Sequence, residues 1–143
     1  MRQTSLSILV LVLGLGLVAS LLTASAEDDK KKSPRLFELR TYTTAPGKLD
    51  ALHARFRDHT NKIFVKHGMQ LVGYWTPTDD ATASNTLIYI LAYPSLEARQ
   101  ASWKGFNNDP DWKKAFAESR ADGPIVTKVD SRFMTPTDYS PIR

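Results

Sequence analysis

The stretch Thr86–Tyr93, TLIYILAY, constrains this chain more than any other. Set as a strand, it points Leu87, Tyr89, Leu91 and Tyr93 one way and Ile88, Ile90 and Ala92 the other. Both faces are apolar. An antiparallel sheet with helices on one side alternates apolar and polar residues. A sheet containing this strand therefore needs cover on both faces.

The flanking segments say how much cover one chain supplies. Leu36–Thr44 is rich in aromatic and β-branched residues and is predicted as a strand. Ala45-Pro46-Gly47 ends it and opens a helix over 48–67, which Gly68 stops as a C′ glycine. A second strand is predicted over 70–76, with Val72 and Tyr74 facing away from Leu71 and Trp75. After Thr86–Tyr93, Ser95 caps a helix through about 106. Asp109-Pro110 starts another, as an N-cap followed by proline at the first helical position. Residues 125–134 form the last strand. The order βαββαβ is that of an α+β, ferredoxin-like subunit with an antiparallel sheet. Its helices cover one face. A second copy of the sheet is the expected cover for the other, so a face-to-face homodimer is expected.

The chain opens MRQTSLSILVLVLGLGLVASLLTASAEDDKKK. Arg2, an uncharged apolar run from Leu6 to Leu22 and the small residues Ala24-Ser25-Ala26 read as a signal peptide over 1–26. The alternative is an uncleaved N-terminal anchor, for which the run falls just short of the ~20 residues a span needs. Both place the folded part outside the cytoplasm, secreted or periplasmic. Cleavage leaves no stable membrane anchor. Residues 27–34 form a charged linker, and the folded domain is expected over 35–143. The chain has no cysteine, which excludes disulfides, thiol chemistry and lipid attachment at an N-terminal cysteine. A net charge of +4 is mild, and no basic patch of the kind that binds nucleic acid stands out.

All three histidines, His53, His59 and His67, fall in the first predicted helix. At 100° per residue His53 and His67 share the apolar stripe with Leu49, Leu52, Phe56, Ile63 and Phe64. They are separated by about 21 Å at 1.5 Å per residue, too far for one metal. His53 and His59 lack the i, i+4 spacing of a helical metal pair. No metal site is expected. His67 sits where a cation suits a helix C-terminus, and His59 at the rim. His53 is either a core histidine satisfied by a carbonyl or a residue lining a pocket between helix and sheet. Asn107, Asp109, Asp111 and Glu118 have the spacing of a calcium loop, but Trp112 replaces its glycine and Pro110 interrupts it. The helix-start reading accounts for Asp109-Pro110-Asp111.

Charges alternate with apolar residues in the first and last strands: Glu38 and Arg40 in the first, Lys128, Asp130 and Arg132 in the last. These two strands are neighbours in the ferredoxin-like order. Glu38 is then expected near Lys128 or Arg132, and Arg40 near Asp130, as a ladder on one face. Arg132 is alternatively a contact for an anionic ligand group.

The segments FELRTYTTAPGKLDAL, RFRDHT, KHGMQLVGYWTP, NTLIYILAYPS and VDSRFMTPTDYSPI, with Trp103, Phe106 and DPDW between the last two, together resemble the NIPSNAP family. The resemblance runs from about Leu36 to Ile142, and SRFMTPTDYSP is its strongest piece. It implies a dimeric α+β barrel of ferredoxin-like subunits. Eukaryotic relatives are mitochondrial proteins linked to vesicle traffic and mitochondrial quality control through protein contacts. The wider barrel superfamily includes cofactor-free monooxygenases, haem-degrading enzymes and small-molecule isomerases, and fold alone assigns none of these.

Three functions compete. The first is a homodimeric binding or interaction protein without a cofactor, since no nucleophile–base pair, paired carboxylates or phosphate loop is recognisable. The second is a small cofactor-free enzyme, monooxygenase-like or isomerase-like, acting on an apolar molecule. In it His53 is the acid or base and Trp75, Tyr89 and Trp103 are the walls; the same aromatics otherwise serve as core packing. The third is a haem binder with His53 or His59 as axial ligand.

Overall fold

The computed structural model describes residues 35–78 and 81–142. The predicted signal peptide (1–26) and linker (27–34) lie outside the described residues. The strands are β1 (Leu36–Thr44), β2 (Gln70–Trp75), β3 (Thr86–Tyr93) and β4 (Val126–Met134). Between β1 and β2 run α1 (Leu49–Arg55), a π-helical turn (Phe56–Thr60) and α2 (Asn61–Lys66). Between β3 and β4 run α3 (Leu96–Asn108) and α4 (Pro110–Glu118). The sheet order is β2-β3-β1-β4, every neighbour antiparallel, as the α+β reading requires.

Local signals act as expected at the helix ends. Gly68 takes φ +78°, and the amide of Met69 donates to the Phe64 carbonyl at 3.0 Å, closing α2. Ser95 Oγ accepts from the Ala98 amide at 3.2 Å. Asp109 Oδ1 accepts from the Asp111 amide at 2.8 Å, ahead of Pro110.

Two expectations need correction. The predicted single helix over 48–67 is interrupted by the π turn. There the Asn61 amide donates to the Phe56 carbonyl, five residues back, and the Thr60 hydroxyl donates to the Arg55 carbonyl at 3.2 Å. In β2 the pairing shifts between Leu71 and Gly73. This bulge lets Leu71 and Tyr74 both pack on the core side, where simple alternation puts them on opposite faces.

The core lies between the sheet and the helices. Leu87, Tyr89, Leu91 and Tyr93 of β3 are buried there against Leu52, Phe56, Phe64 and Phe106. Tyr74 stacks on Tyr89 at 5.6 Å, and Phe56 meets Tyr89 edge-on at 5.2 Å. The other face carries Leu39 beside Ile90 and Trp75 beside Ile88. Trp75 is 50% exposed, and its indole folds back over Gly73. That face is apolar along β3, as the strand pattern of Thr86–Tyr93 implies, while β4 carries Lys128, Asp130 and Arg132 on it. Among the described residues no helix is long and apolar enough to cross a membrane.

Candidate functional site

The register of β1 decides which charges enter the interior. Glu38 is paired with Phe133 and Arg40 with Ser131, whereas Leu39 is paired with Arg132 and Thr41 with Asp130. Glu38 and Arg40 therefore face the helices, and Lys128, Asp130 and Arg132 face the opposite side. This overturns the expected ladder: Glu38 meets neither Lys128 nor Arg132. Lys128 instead pairs with Asp130 of its own strand at 2.8 Å.

Glu38 is fully buried, and donors surround it. Arg99 of α3 donates from Nε to Oε2 at 3.0 Å and from Nη2 to Oε1 at 2.8 Å. Arg40 Nη1 and Ser131 Oγ donate to Oε1 at 2.6 and 2.7 Å. Tyr93 Oη and Trp103 Nε1 each lie 3.2 Å from Oε2. Burial alone would raise the Glu38 pKa. The bonds from Arg99 and Ser131 and the Arg40 charge outweigh it, holding the carboxyl at about 2 against an ordinary 4.5. Arg40 also donates from Nε to the Tyr89 hydroxyl at 2.9 Å and lies over the Trp103 ring at 4.4 Å. Burial pushes the Tyr89 phenol well above its ordinary pKa of 10, so it stays neutral.

Above this network a cleft of about 500 Å³ opens between the sheet and the helices. Tyr42 of β1 and Val129 of β4 form its floor; Phe56, Phe64, Trp103, Phe106, Trp112 and Phe116 form its walls. Ring contacts link the walls to the core, from Phe64–Phe106 at 4.7 Å to Phe106–Trp112 at 4.4 Å. Both Phe56 and Thr60, the ends of the π turn, line the cleft. Its charged lining is Arg40, Arg55, Arg99 and Arg120.

Of the candidate pocket residues His53, His59, Trp75, Tyr89, Trp103 and Arg132, only Trp103 lines this cleft. Tyr89 lies beneath it in the core. His53 is half-buried on α1 and His59 is exposed beside a shallow second groove. Trp75 and Arg132 are exposed on the far side of the sheet. His67 Nε2 bonds Asp109 Oδ2 at 2.7 Å, and Lys66 Nζ meets the same oxygen at 2.8 Å, so α2 is clasped to the start of α4. Among the described residues no three His, Asp or Glu side chains gather as a metal would require. Sequence reasoning passed over Arg55, Arg99 and Arg120, and placed Arg40 only in a charge ladder. For Arg55 a signal exists: it stands three residues after Leu52 and next to Phe56, on the apolar stripe.

The family model for NIPSNAP matches residues 37–141. The chain belongs to the NIPSNAP family. A NIPSNAP family protein of unknown function from Agrobacterium tumefaciens is 24% identical over 77% of this chain and 95% of its own, with a TM-score of 0.67. A second from the same organism is 25% identical over 76% and 99%, with a TM-score of 0.65. An uncharacterised NIPSNAP-like domain protein from Burkholderia xenovorans is 20% identical over 75% and 89%, with a TM-score of 0.65. The comparison with curated proteins finds no match. The shared α+β fold is thus a property of the NIPSNAP family, and it brings no activity with it.

Proposed function

We propose that this NIPSNAP protein is an extracytoplasmic, homodimeric binding protein whose cleft takes a small organic molecule with an aromatic or apolar body. The observation that carries the reading is the 500 Å³ cleft walled by six aromatic rings. Its size and apolar lining with a few convergent polar groups suit a small-molecule site. Neither His53 nor His59 lines it, so the acid/base and axial-ligand roles considered for them have no footing there. This favours binding over turnover. The apolar face around Ile88, Ile90 and Trp75 supports the homodimer, and the segment 1–26 supports export.

Titration of the protein with 2-naphthamide, followed by tryptophan fluorescence, tests the cleft. Trp103 and Trp112 sit in its wall, so binding should change their emission. Val129→Trp should fill the cleft and abolish the change. Undiminished binding by a folded Val129→Trp protein would falsify the assignment.

A further inference from the structure

The cleft is lined by four arginines and, among the described residues, by no acidic side chain. Two of the four share Glu38, which leaves Arg40 and Arg99 with one positive charge in excess. Arg55 and Arg120 form no salt bridge among the described residues. Arg55 is only 5% exposed. Its Nη1 reaches Ser119 Oγ at 3.3 Å, and its Nε is buried without a hydrogen-bond partner. Asp58 and Glu118 line the shallow groove beside Arg55, yet neither pairs with it; Glu118 meets Lys114 instead, at 4.0 Å. The Arg55 and Arg120 guanidiniums both address the Phe116 ring, at 5.5 and 4.8 Å from its centroid. A buried, unpaired cation is costly to keep unless something else uses it.

We propose that the ligand of this cleft is an organic carboxylate, its flat apolar body lying among the aromatic walls and its carboxylate received by Arg55 with Arg120 at the mouth. The inference rests on the reading of the cleft as a binding site and adds the charge of the ligand. Arginine's planar fork suits a carboxylate, and the free Nε belongs to that fork. Burial lowers the Arg55 pKa most and the neighbouring Arg120 charge lowers it further; the Tyr42 and Tyr89 phenols offset this only in part, and no carboxylate contributes. An entering anion would relieve both. The aromatic faces that hold Arg55, Trp112 at 5.6 Å and Phe116, keep the guanidinium in place before a ligand arrives.

The test compares 2-naphthoate with its neutral analogue 2-naphthamide by calorimetric titration of the same protein. The expected result is naphthoate binding about tenfold more tightly, the scale of one charge-assisted hydrogen bond. Arg55→Met should remove that preference and leave amide binding unchanged. Arg132→Met, on the opposite sheet face, should retain it. Should Arg55→Met fail to fold, Arg120→Gln decides: Arg120 is exposed, and its replacement should reduce the preference. Equal affinity for the two compounds overturns the carboxylate proposal and leaves the cleft reading standing. Binding of neither compound overturns both. A preference that survives Arg55→Met and Arg120→Gln, or disappears in Arg132→Met, overturns the assignment to this pair.

Discussion

Arg99 grips Glu38 with two parallel bonds, Nε to Oε2 at 3.0 Å and Nη2 to Oε1 at 2.8 Å, tying α3 to the centre of β1. Such a fork is stronger and more directional than a single ion pair. It holds Trp103 against the sheet, and Trp103 forms part of the cleft wall. The same carboxylate thus serves the fold and the shape of the site.

Acid should dissolve this tie. The folded protein keeps Glu38 ionised down to about pH 2, while the unfolded chain does so only to about pH 4.5. The contribution is therefore complete above pH 4.5 and lost as pH falls from there towards 2, amounting to roughly 3 kcal/mol. Glu38→Gln should cost roughly 3–5 kcal/mol at pH 7, since it leaves two arginines facing a neutral amide. It should also flatten the pH dependence in that window. Urea unfolding at pH 7 and pH 3.5 checks both; an unchanged acid profile in the variant would mean another group carries the effect.

Gly105 is held to its size by His67. A Cβ there would come within 2.5 Å of His67 Nδ1, and the ring cannot swing freely because Asp109 holds its other nitrogen at 2.7 Å. Alanine gains about 1 kcal/mol over glycine in a helix, but overpacking costs about 1–3 kcal/mol. Gly105→Ala should therefore destabilise the protein by about 1 kcal/mol, the difference between those two effects. In a His67→Ala background the same change should stabilise it. A thermal-melting series over the four proteins measures this, and a destabilisation that persists without His67 would rule out the ring as its cause.

The face opposite the helices predicts an oligomer. Ile90 lies there beside Leu39 and Gly73. Ile90→Lys should bury a charge in the proposed interface at a cost of several kcal/mol. Light scattering should find a dimer for the native protein and a smaller, less stable species for the variant. Native-sized, fully stable Ile90→Lys protein would mean that no second copy covers this face.

Export predicts a mature N-terminus at Glu27. Intact-mass measurement of protein recovered outside the cytoplasm should match residues 27–143. A mass that includes 1–26 would point to a retained anchor instead.

Much of this protein is written locally in its sequence. The bounds of β1 and β3, the Ser95 and Asp109 caps, the Gly68 stop and the two apolar faces of β3 all depend on residues close together in the chain. Period-2 alternation also shows that Glu38 and Arg40 share a face, and that Lys128, Asp130 and Arg132 do. It does not say whether the two sets share the same face. Register decides that, and a shift of one residue sends every side chain to the other side. In the folded protein Trp103, Tyr93 and Arg99 supply the partners that make burial of Glu38 tolerable, so Glu38 turns inward and Arg132 outward. The π turn and the β2 bulge are likewise products of packing, each inserting a residue that regular periodicity does not foresee. The cleft has the same origin. Arg40, Arg55 and Arg99 come from β1, α1 and α3, and Arg120 from the turn just after α4; only the stacking of helices on the sheet draws them around one space.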